Sequence, residues 1–577
     1  MSQEHKDTIQ QLIARNQFET ALGRCLQLES QLGSTADLAT TIGDLYLCVR
    51  QPTNAAHSYI NAYRQASRRR PIEGLCRALG MISLDVMRQQ DSLIQSTVKT
   101  LRHAIVERGA NGLELLGLLL SGLNFTRMNA IENNRGWFEL LLVPILKMLS
   151  AIKQYHNLLA LEEIIYDRMV KQDEQESTFA YMMQSVAPIM HSAGQTYRRS
   201  QQLPVIKHIP NERPRVGFFL HNASVLAHIQ VLFSFLQGWT ELGKRDIEPI
   251  VYLMEGQNAE MESVFRSYNV EFIYIQQFSQ SKDYVKNLMC LRELISRTNV
   301  SVIVWVSLGL RLPFASGLRI APKQVWWTMK YRTMETPDID AYVATTLRSA
   351  DPFVKEDWYE GFCCINRPRT PVNLQDVQRL RSQFPPNTVI LGTMAREELI
   401  NRPKFLSNVC DILDRHRNCV YLWTGRKQDP EIENYFKKRK LSHQQFFIGW
   451  VDVLFYAEVL DIFLDTFPFG CGLNLVHTMA AEKAVVFCPH GGTNYFHVVS
   501  SLMEKFAERM GKNEVQFWQT LTELCQDYLG FARLLIEDEQ YRRQAAAFNK
   551  RIVEKLFYNH ALSAEMSIDA FRRIALS

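Results

Sequence analysis

From Val216 onward the chain repeats one pattern, a short and almost wholly apolar run followed by an amphipathic stretch of helical period. The apolar runs are Val216 to Leu220, Pro249 to Leu253, Val270 to Ile275, Val302 to Val306, Gln324 to Thr328 and Ala341 to Thr345. Runs this continuous suit strands covered on both faces, so the alternation predicts a parallel sheet with helices above and below it. The pattern breaks in the irregular, proline-marked stretch Asp351 to Pro386 and then restarts. The new runs are Thr388 to Met394, Cys419 to Thr424, Gln445 to Ile448, Ile462 to Asp465 and Ala484 to Cys488, separated by helical patterns such as Lys404 to Arg415 and Glu431 to Lys440. Two successive α/β halves leave one natural place for a ligand, the cleft outside the carboxyl ends of both sheets.

The residues before this read differently. From Asp7 to about Arg199 apolar residues recur at helical spacing, with breaks near Gly33-Ser34, Gln51-Pro52 and Arg70-Pro71 and no strand pattern. Thr35 to Pro71 reads as a helical hairpin turning at Arg50 to Thr53, with Gly43, Tyr46, Ala55, Tyr59 and Ala62 where a tetratricopeptide unit places its small and aromatic packing residues. Further helices are expected over Leu113 to Leu123, Trp137 to Ile152 and Leu158 to Met169. Such a domain serves to hold its neighbours or an extended polypeptide. Leu203-Pro204 and Ile209-Pro210 mark a linker, giving an all-helical domain 1–205, a first Rossmann-like half 206–370 and a second half 371–577. The last helix, from about Glu537 to Leu576, is long enough to cross back over the first half.

Composition excludes several classes of function. No run approaches the roughly 20 apolar residues of a membrane helix, and the polar start Met1 to Arg15 lacks the features of a secretory signal, which predicts a cytoplasmic protein without a membrane span. Eleven scattered cysteines without a CxxC pair argue against a disulfide framework or a structural zinc site. A net charge of +5 is too small to imply nucleic acid. The runs Arg68 to Arg70 and Lys437 to Lys440 read as helix ends or last turns, where cations meet the helix dipole favourably.

The most informative segment is Leu464-Asp-Thr-Phe-Pro-Phe-Gly-Cys-Gly-Leu-Asn-Leu-Val-His477, a strand, a glycine loop and the opening of a helix. Free N–H groups and a positive dipole end suit a diphosphate there. Gly470 and Gly472 let backbone approach the ligand, and Asn474 can cap the helix or touch a phosphate. A tight strand-to-helix turn without a ligand would read the same way.

The stretch Asp461-Ile-Phe-Leu-Asp-Thr-Phe-Pro-Phe-Gly resembles the family-41 glycosyltransferases, which include the O-linked N-acetylglucosamine transferases and the bacterial cytoplasmic adhesin N-glycosyltransferases. Arg215-Val-Gly-Phe, Ala321-Pro-Lys-Gln-Val-Trp-Trp-Thr, Asp340-Ala-Tyr, Val420-Tyr-Leu-Trp and Phe446-Phe-Ile-Gly-Trp follow in the family's order, so the likeness covers about Pro214 to Leu556. It implies a GT-B fold of two Rossmann-like domains behind tetratricopeptide-like repeats. It also implies an inverting, metal-independent transfer of a hexose or N-acetylhexosamine from a UDP-sugar to a protein side chain, with no further cofactor. The acceptor would be an adhesin or another surface protein.

Carried over residue by residue, the loop Pro468-Phe469-Gly470 matches the bacterial branch, but Cys471 and Gly472 stand where that branch has polar residues. His477 stands where the family has a ribose-binding carboxylate, and Ile400 where it has the lysine that neutralises the leaving diphosphate. Arg396 or Arg402 is the replacement cation, Arg396 being preferred, because a departing diphosphate needs positive charge. Thr424, Gly470, Cys471, Gly472, Asn474 and His477 are the candidate nucleotide-sugar contacts. On the acceptor side His221 and His228 are candidates for meeting the acceptor or taking its proton, with His228 preferred because Leu226-Ala-His-Ile-Gln resembles the family segment. His490 and His497 are candidate sugar contacts, and Trp326-Trp327 reads as packing. Asp338-Ile-Asp340 mimics the metal motif of the other major glycosyltransferase fold but precedes a strand. Two other readings stay open: a catalytically silent scaffold or chaperone serving a partner glycosyltransferase, and a nucleotide-sugar epimerase.

Overall fold

The computed structural model describes residues 2–108, 114, 135–165, 176–207, 212–224, 227–243, 246–279, 281, 283–306, 311–328, 336–344, 358–361, 364–365, 372–467, 470–488 and 495–577. The helix expected over 113–123 falls outside these except for Glu114, and Pro468, Phe469 and His490 fall outside them too.

The N-terminal region is helical throughout its described residues. Thr35 caps the helix Ala36–Cys48 by accepting from the Leu38 N–H, Arg50 takes the left-handed turn conformation (φ 58°), and Pro52 opens the helix Pro52–Gln65. The Tyr59 ring fills the space over Gly43 and over Gly74 of the next helix, Arg69–Met81, and its hydroxyl donates to Asp44 at 2.6 Å. One fully buried aromatic thus binds three successive helices, as the small residues around it anticipate. The basic run Arg68 to Arg70 corrects an expectation. It caps and opens the Arg69–Met81 helix, the end where cations oppose the dipole, and is compensated by pairing with Asp37, Glu73 and Asp44. Lys437 and Lys438 do occupy a last turn.

The first sheet contains β1 (Arg215–Asn222), β2 (Glu248–Glu255), β3 (Glu271–Tyr274), β4 (Val300–Trp305), β5 (Lys323–Thr328), β6 (Ala341–Ala344) and β7 (Trp358–Glu360), all parallel, in the order β3-β2-β1-β4-β5-β6-β7. Side chains alternate between its faces. Phe219, Tyr252, Ile303 and Trp305 join the core of the helical region, while Phe218, Val304, Val325 and Trp327 face the other way. The helix Ala187–Ser200 docks on the helix Arg311–Gly317 so closely that Gly194 lies against the Phe314 carbonyl. His191 and Gln195 reach Asp338 at 2.8 and 3.3 Å, and Arg319 pairs with Asp340 at 2.8 Å. The two carboxylates that mimic a metal motif therefore tie the helical region and neighbouring loops to the sheet. Trp327 is fully buried in packing, as expected. The strand β7 lies in the stretch read as a break.

The second sheet contains β8 (Val389–Thr393), β9 (Cys419–Trp423), β10 (Gln445–Phe447), β11 (Ile462–Leu464) and β12 (Ala484–Val486), parallel, in the order β10-β9-β8-β11-β12. The single final helix is a correction. Glu539–Ile552 runs into a widened turn at Val553–Phe557, and a separate helix, His560–Leu576, begins after Asn559, whose side chain caps it. The break lies where the chain recrosses beside the segment that left the first half. There Ile365 N–H donates to the Phe557 carbonyl at 3.0 Å, and the Cys364 thiol contacts the carbonyls of Leu556 and Asn559. The His560–Leu576 helix then lies on the helix Ala227–Leu242 of the first half, so close that a Cβ at Gly238 would overlap the His560 carbonyl oxygen. Phe571 completes an aromatic cluster with Phe218, Phe235 and Trp327.

Candidate active site

In the second sheet β9 and β10 lie to one side of β8, and β11 and β12 to the other. The loops leaving β8 and β11 therefore diverge and open a crevice at their carboxyl ends, the position where doubly wound sheets bind ligands. The residues after β8, β9 and β11 are locked together at this edge. The Thr393 hydroxyl donates to the Leu464 carbonyl at 2.9 Å, and the Asn474 amide donates to the Met394 carbonyl at 2.6 Å. Glu397, 3% exposed, accepts from the Arg426 N–H at 2.9 Å.

The glycine loop is held from below. Asp465, fully buried at the end of β11, accepts from the Cys471 N–H at 2.7 Å, and the Tyr528 hydroxyl donates to its carbonyl at 3.1 Å. Gly472 precedes the helix Leu473–Ala480 at φ 64°, ψ −134°, a conformation that side-chain-bearing residues avoid. Gly470 is half-buried and Cys471 buried, its thiol 3.4 Å from the Thr466 hydroxyl. Residues 470–472 and the N-terminus of this helix thus stand at the carboxyl end of β11, on the crevice edge.

Of the residues singled out in the sequence, Arg396, Gly470, Cys471, Gly472, Asn474 and His477 gather on the elements of this edge. Arg396 is half-buried just beyond β8, beside Ala395. Ile400, where the sequence resemblance would lead one to look for a lysine, is a fully buried apolar core residue. Thr424 is also here, but its buried hydroxyl is engaged with Ala395 and turns inward. His477 lies on the Leu473–Ala480 helix with Nδ1 lacking a hydrogen-bond partner among the described residues. Burial pushes its pKa down to about 4, slightly opposed by Asp452, so the imidazole is neutral at pH 7.

The first sheet has its own switch point, between β1 and β4. His221 ends the buried part of β1 there, with Nε2 3.4 Å from the Arg311 guanidinium and its ring edge-on to Tyr284. Burial and then the Arg311 charge push its pKa down to about 4. Arg311 is held in turn by Glu163, by Glu162 at 4.0 Å and by the Tyr284 ring at 4.6 Å. Both glutamates belong to the helix Tyr155–Ile165, so the helical region reaches the carboxyl edge of the first sheet. His228 is half-buried in the first turn of the helix after β1, and His497 lies on the helix Tyr495–Lys505.

Three features escaped the sequence reading. Asp465 looked like a strand terminus. The Arg311 cluster joins residues 148 positions apart. Trp450 is 65% exposed beyond β10 with the Arg426 guanidinium 5.7 Å from its ring; a lone tryptophan after a glycine turn was the available signal.

No protein-family model and no curated protein matches the chain. Among solved structures, it is similar to a mutant O-GlcNAc transferase of Thermobaculum terrenum, with 15% identity, 100% of this chain and 98% of that one covered and a TM-score of 0.53. A glycosyltransferase from Rickettsia africae, 13% identical over 63% of this chain and 99% of that one, gives 0.42. Anabaena Alr3699/HepE in complex with UDP and glucose, 12% identical over 62% and 99%, gives 0.41. Over its whole length, then, the chain has the GT-B fold of two Rossmann-like halves behind an all-helical region that fits a tetratricopeptide-like domain.

Proposed function

We propose that the chain is a glycosyltransferase that moves a hexose or N-acetylhexosamine from a UDP-sugar to a protein side chain, with inversion and without a metal. The observation that carries this reading is the loop at the β8/β11 crevice. Its backbone is fixed by Asp465, it ends in a left-handed glycine, and it opens a helix toward the edge where Arg396 stands. That arrangement suits a diphosphate leaving group, which needs fixed dipoles and a cation. Trp450 and Arg426 offer a flat face for the base on the β9/β10 side, and neutral His477 can accept from or donate to a ribose hydroxyl.

In this reading the first half carries the acceptor. His221, kept uncharged, stands at its carboxyl edge as a hydrogen-bond partner, and His228, in the first turn of the following helix, is the group to receive a proton from the attacking group. Holding acceptor and donor together supplies much of the rate, with little covalent work from the protein. The helical region would bind a polypeptide acceptor such as an adhesin. We place the protein in the cytoplasm, and no helix among the described residues is long and apolar enough to cross a membrane.

The test is calorimetric titration of the full chain with UDP, for the native protein and for Arg396→Ala, followed by hydrolysis of UDP-sugars. UDP binding weakened by Arg396→Ala, with slow donor hydrolysis, supports the transferase. Absence of UDP binding removes it and favours a second reading, a scaffold for a partner glycosyltransferase. The burial of Ile400, where the resemblance would lead one to look for a lysine, favours that second reading.

A further inference from the structure

Asp465 is a buried carboxyl group with fewer donors than a buried carboxylate requires and with no cation beside it among the described residues. It is fully buried, and while one oxygen accepts from Cys471, Oδ2 has no hydrogen-bond partner among the described residues. The ionisable groups that face it are the thiols of Cys471 and Cys525 and the phenol of Tyr528, with Cys488 and Tyr421 beside Tyr528 in turn. The three come from the loop itself, the end of the helix Lys512–Leu524 and the helix Tyr528–Glu537. The Thr466 N–H and the Cys471 contacts favour the charged form, and among the described residues no lysine, arginine or histidine adds to them. Burial outweighs these contacts and raises the pKa to about 7.

Position turns this group into a coupled one. The N–H it holds belongs to the loop at the crevice edge, so a negative charge on Asp465 sits behind the surface offered to an anion. We infer that Asp465 is a proton-linked positioning residue of the glycine loop, and that a nucleoside diphosphate seated on that loop binds together with a proton taken from solvent onto this carboxyl. The inference rests on the nucleotide reading of the same site. One proton moves from the buffer to Oδ2, the unpartnered oxygen, while Oδ1 continues to accept from Cys471; no other bond changes. By reciprocity, a ligand that raises the carboxyl's proton affinity must itself bind less tightly as pH rises.

The experiment is titration of the full chain with UDP at pH 7 and pH 8.5, each in two buffers of different ionisation enthalpy, for the native protein and Asp465→Asn. UDP is fully ionised across most of this window, and asparagine keeps an oxygen for Cys471 while removing the titration. The expected result is proton uptake by the native protein and a Kd that rises about five-fold or more between the two pH values. Asp465→Asn takes up no proton at this site and has a flatter Kd. Equal proton uptake and equal pH slopes in the two proteins overturn the inference. A second arm compares urea unfolding of both without ligand from pH 5 to 8. The native carboxyl holds its proton better folded than unfolded, so native stability falls relative to the variant as pH rises toward 7. No UDP binding at either pH with this difference present overturns the nucleotide reading and the ligand linkage built on it. No stability difference overturns the protonated anchor whether UDP binds or not.

Discussion

The Thr424 hydroxyl and the Ala395 backbone bond in both directions, the hydroxyl accepting from the N–H at 2.8 Å and donating to the carbonyl at 2.6 Å. The ends of β8 and β9 are thereby pinned one residue from Arg396. Thr424→Val keeps the shape but leaves two buried backbone groups unpaired, which costs about 1–3 kcal/mol. Urea midpoints will fall accordingly for valine and stay near native for Thr424→Ser.

Gly472 occupies a backbone region that alanine enters only with strain. Gly472→Ala costs about 1–3 kcal/mol if the loop keeps its shape, and if the loop yields it moves the Cys471 N–H off Asp465. Either way UDP affinity falls, and calorimetry beside urea unfolding separates the two responses.

Trp450 packs little of its ring and carries a guanidinium over one face. Trp450→Ala leaves stability within about 0.5 kcal/mol but weakens UDP by about ten-fold, the order expected from one lost base–aromatic stack. Pyrophosphate binding stays unchanged. A loss shared equally by UDP and pyrophosphate would remove the stacking role.

Two histidines set an acid limit. His221 and His477 both have pKa values near 4 when folded, against 6.5 when free. The unfolded chain therefore gains protons first, and the stability these groups contribute is fully present above pH 6.5 and is lost as pH falls toward 4. Each contributes a slope of at most about 1.4 kcal/mol per pH unit. Denaturation midpoints of His221→Asn and His477→Asn should show a shallower decline than the native protein between pH 6.5 and 4.5.

The close approach of Gly238 to the His560 carbonyl makes the docking of the final helix sensitive to one methyl group. Gly238→Ala forces the helix His560–Leu576 outward at about 1–3 kcal/mol. Amide exchange will then rise along that helix and β1, and remain low in β8 and β9.

The strands were legible because nearly all are continuous apolar runs, and all but β7 have both ends within two residues of the expected bounds. The crevice loop was legible because glycines punctuate a strand-to-helix step. What escaped depends on residues distant in the chain. The three-residue β7 has no run of its own, only a place beside β6. The final helix breaks because residues 364–365 contact residues 556–560. Asp465 carries no local sign of burial, since Tyr528 and Cys525 close over it from a later helical segment. The Arg311 cluster needs a helix that precedes the sheet.

Phe571 belongs to the core that Phe218, Phe235 and Trp327 begin. During synthesis the middle of the protein must therefore wait, with one aromatic wall missing, while the whole second sheet emerges and folds. The second sheet can complete its own strands first, and the first half closes only when the last helix arrives. A nascent chain held before Phe571 would carry a finished second sheet beside an open hydrophobic slot, the species a chaperone would meet.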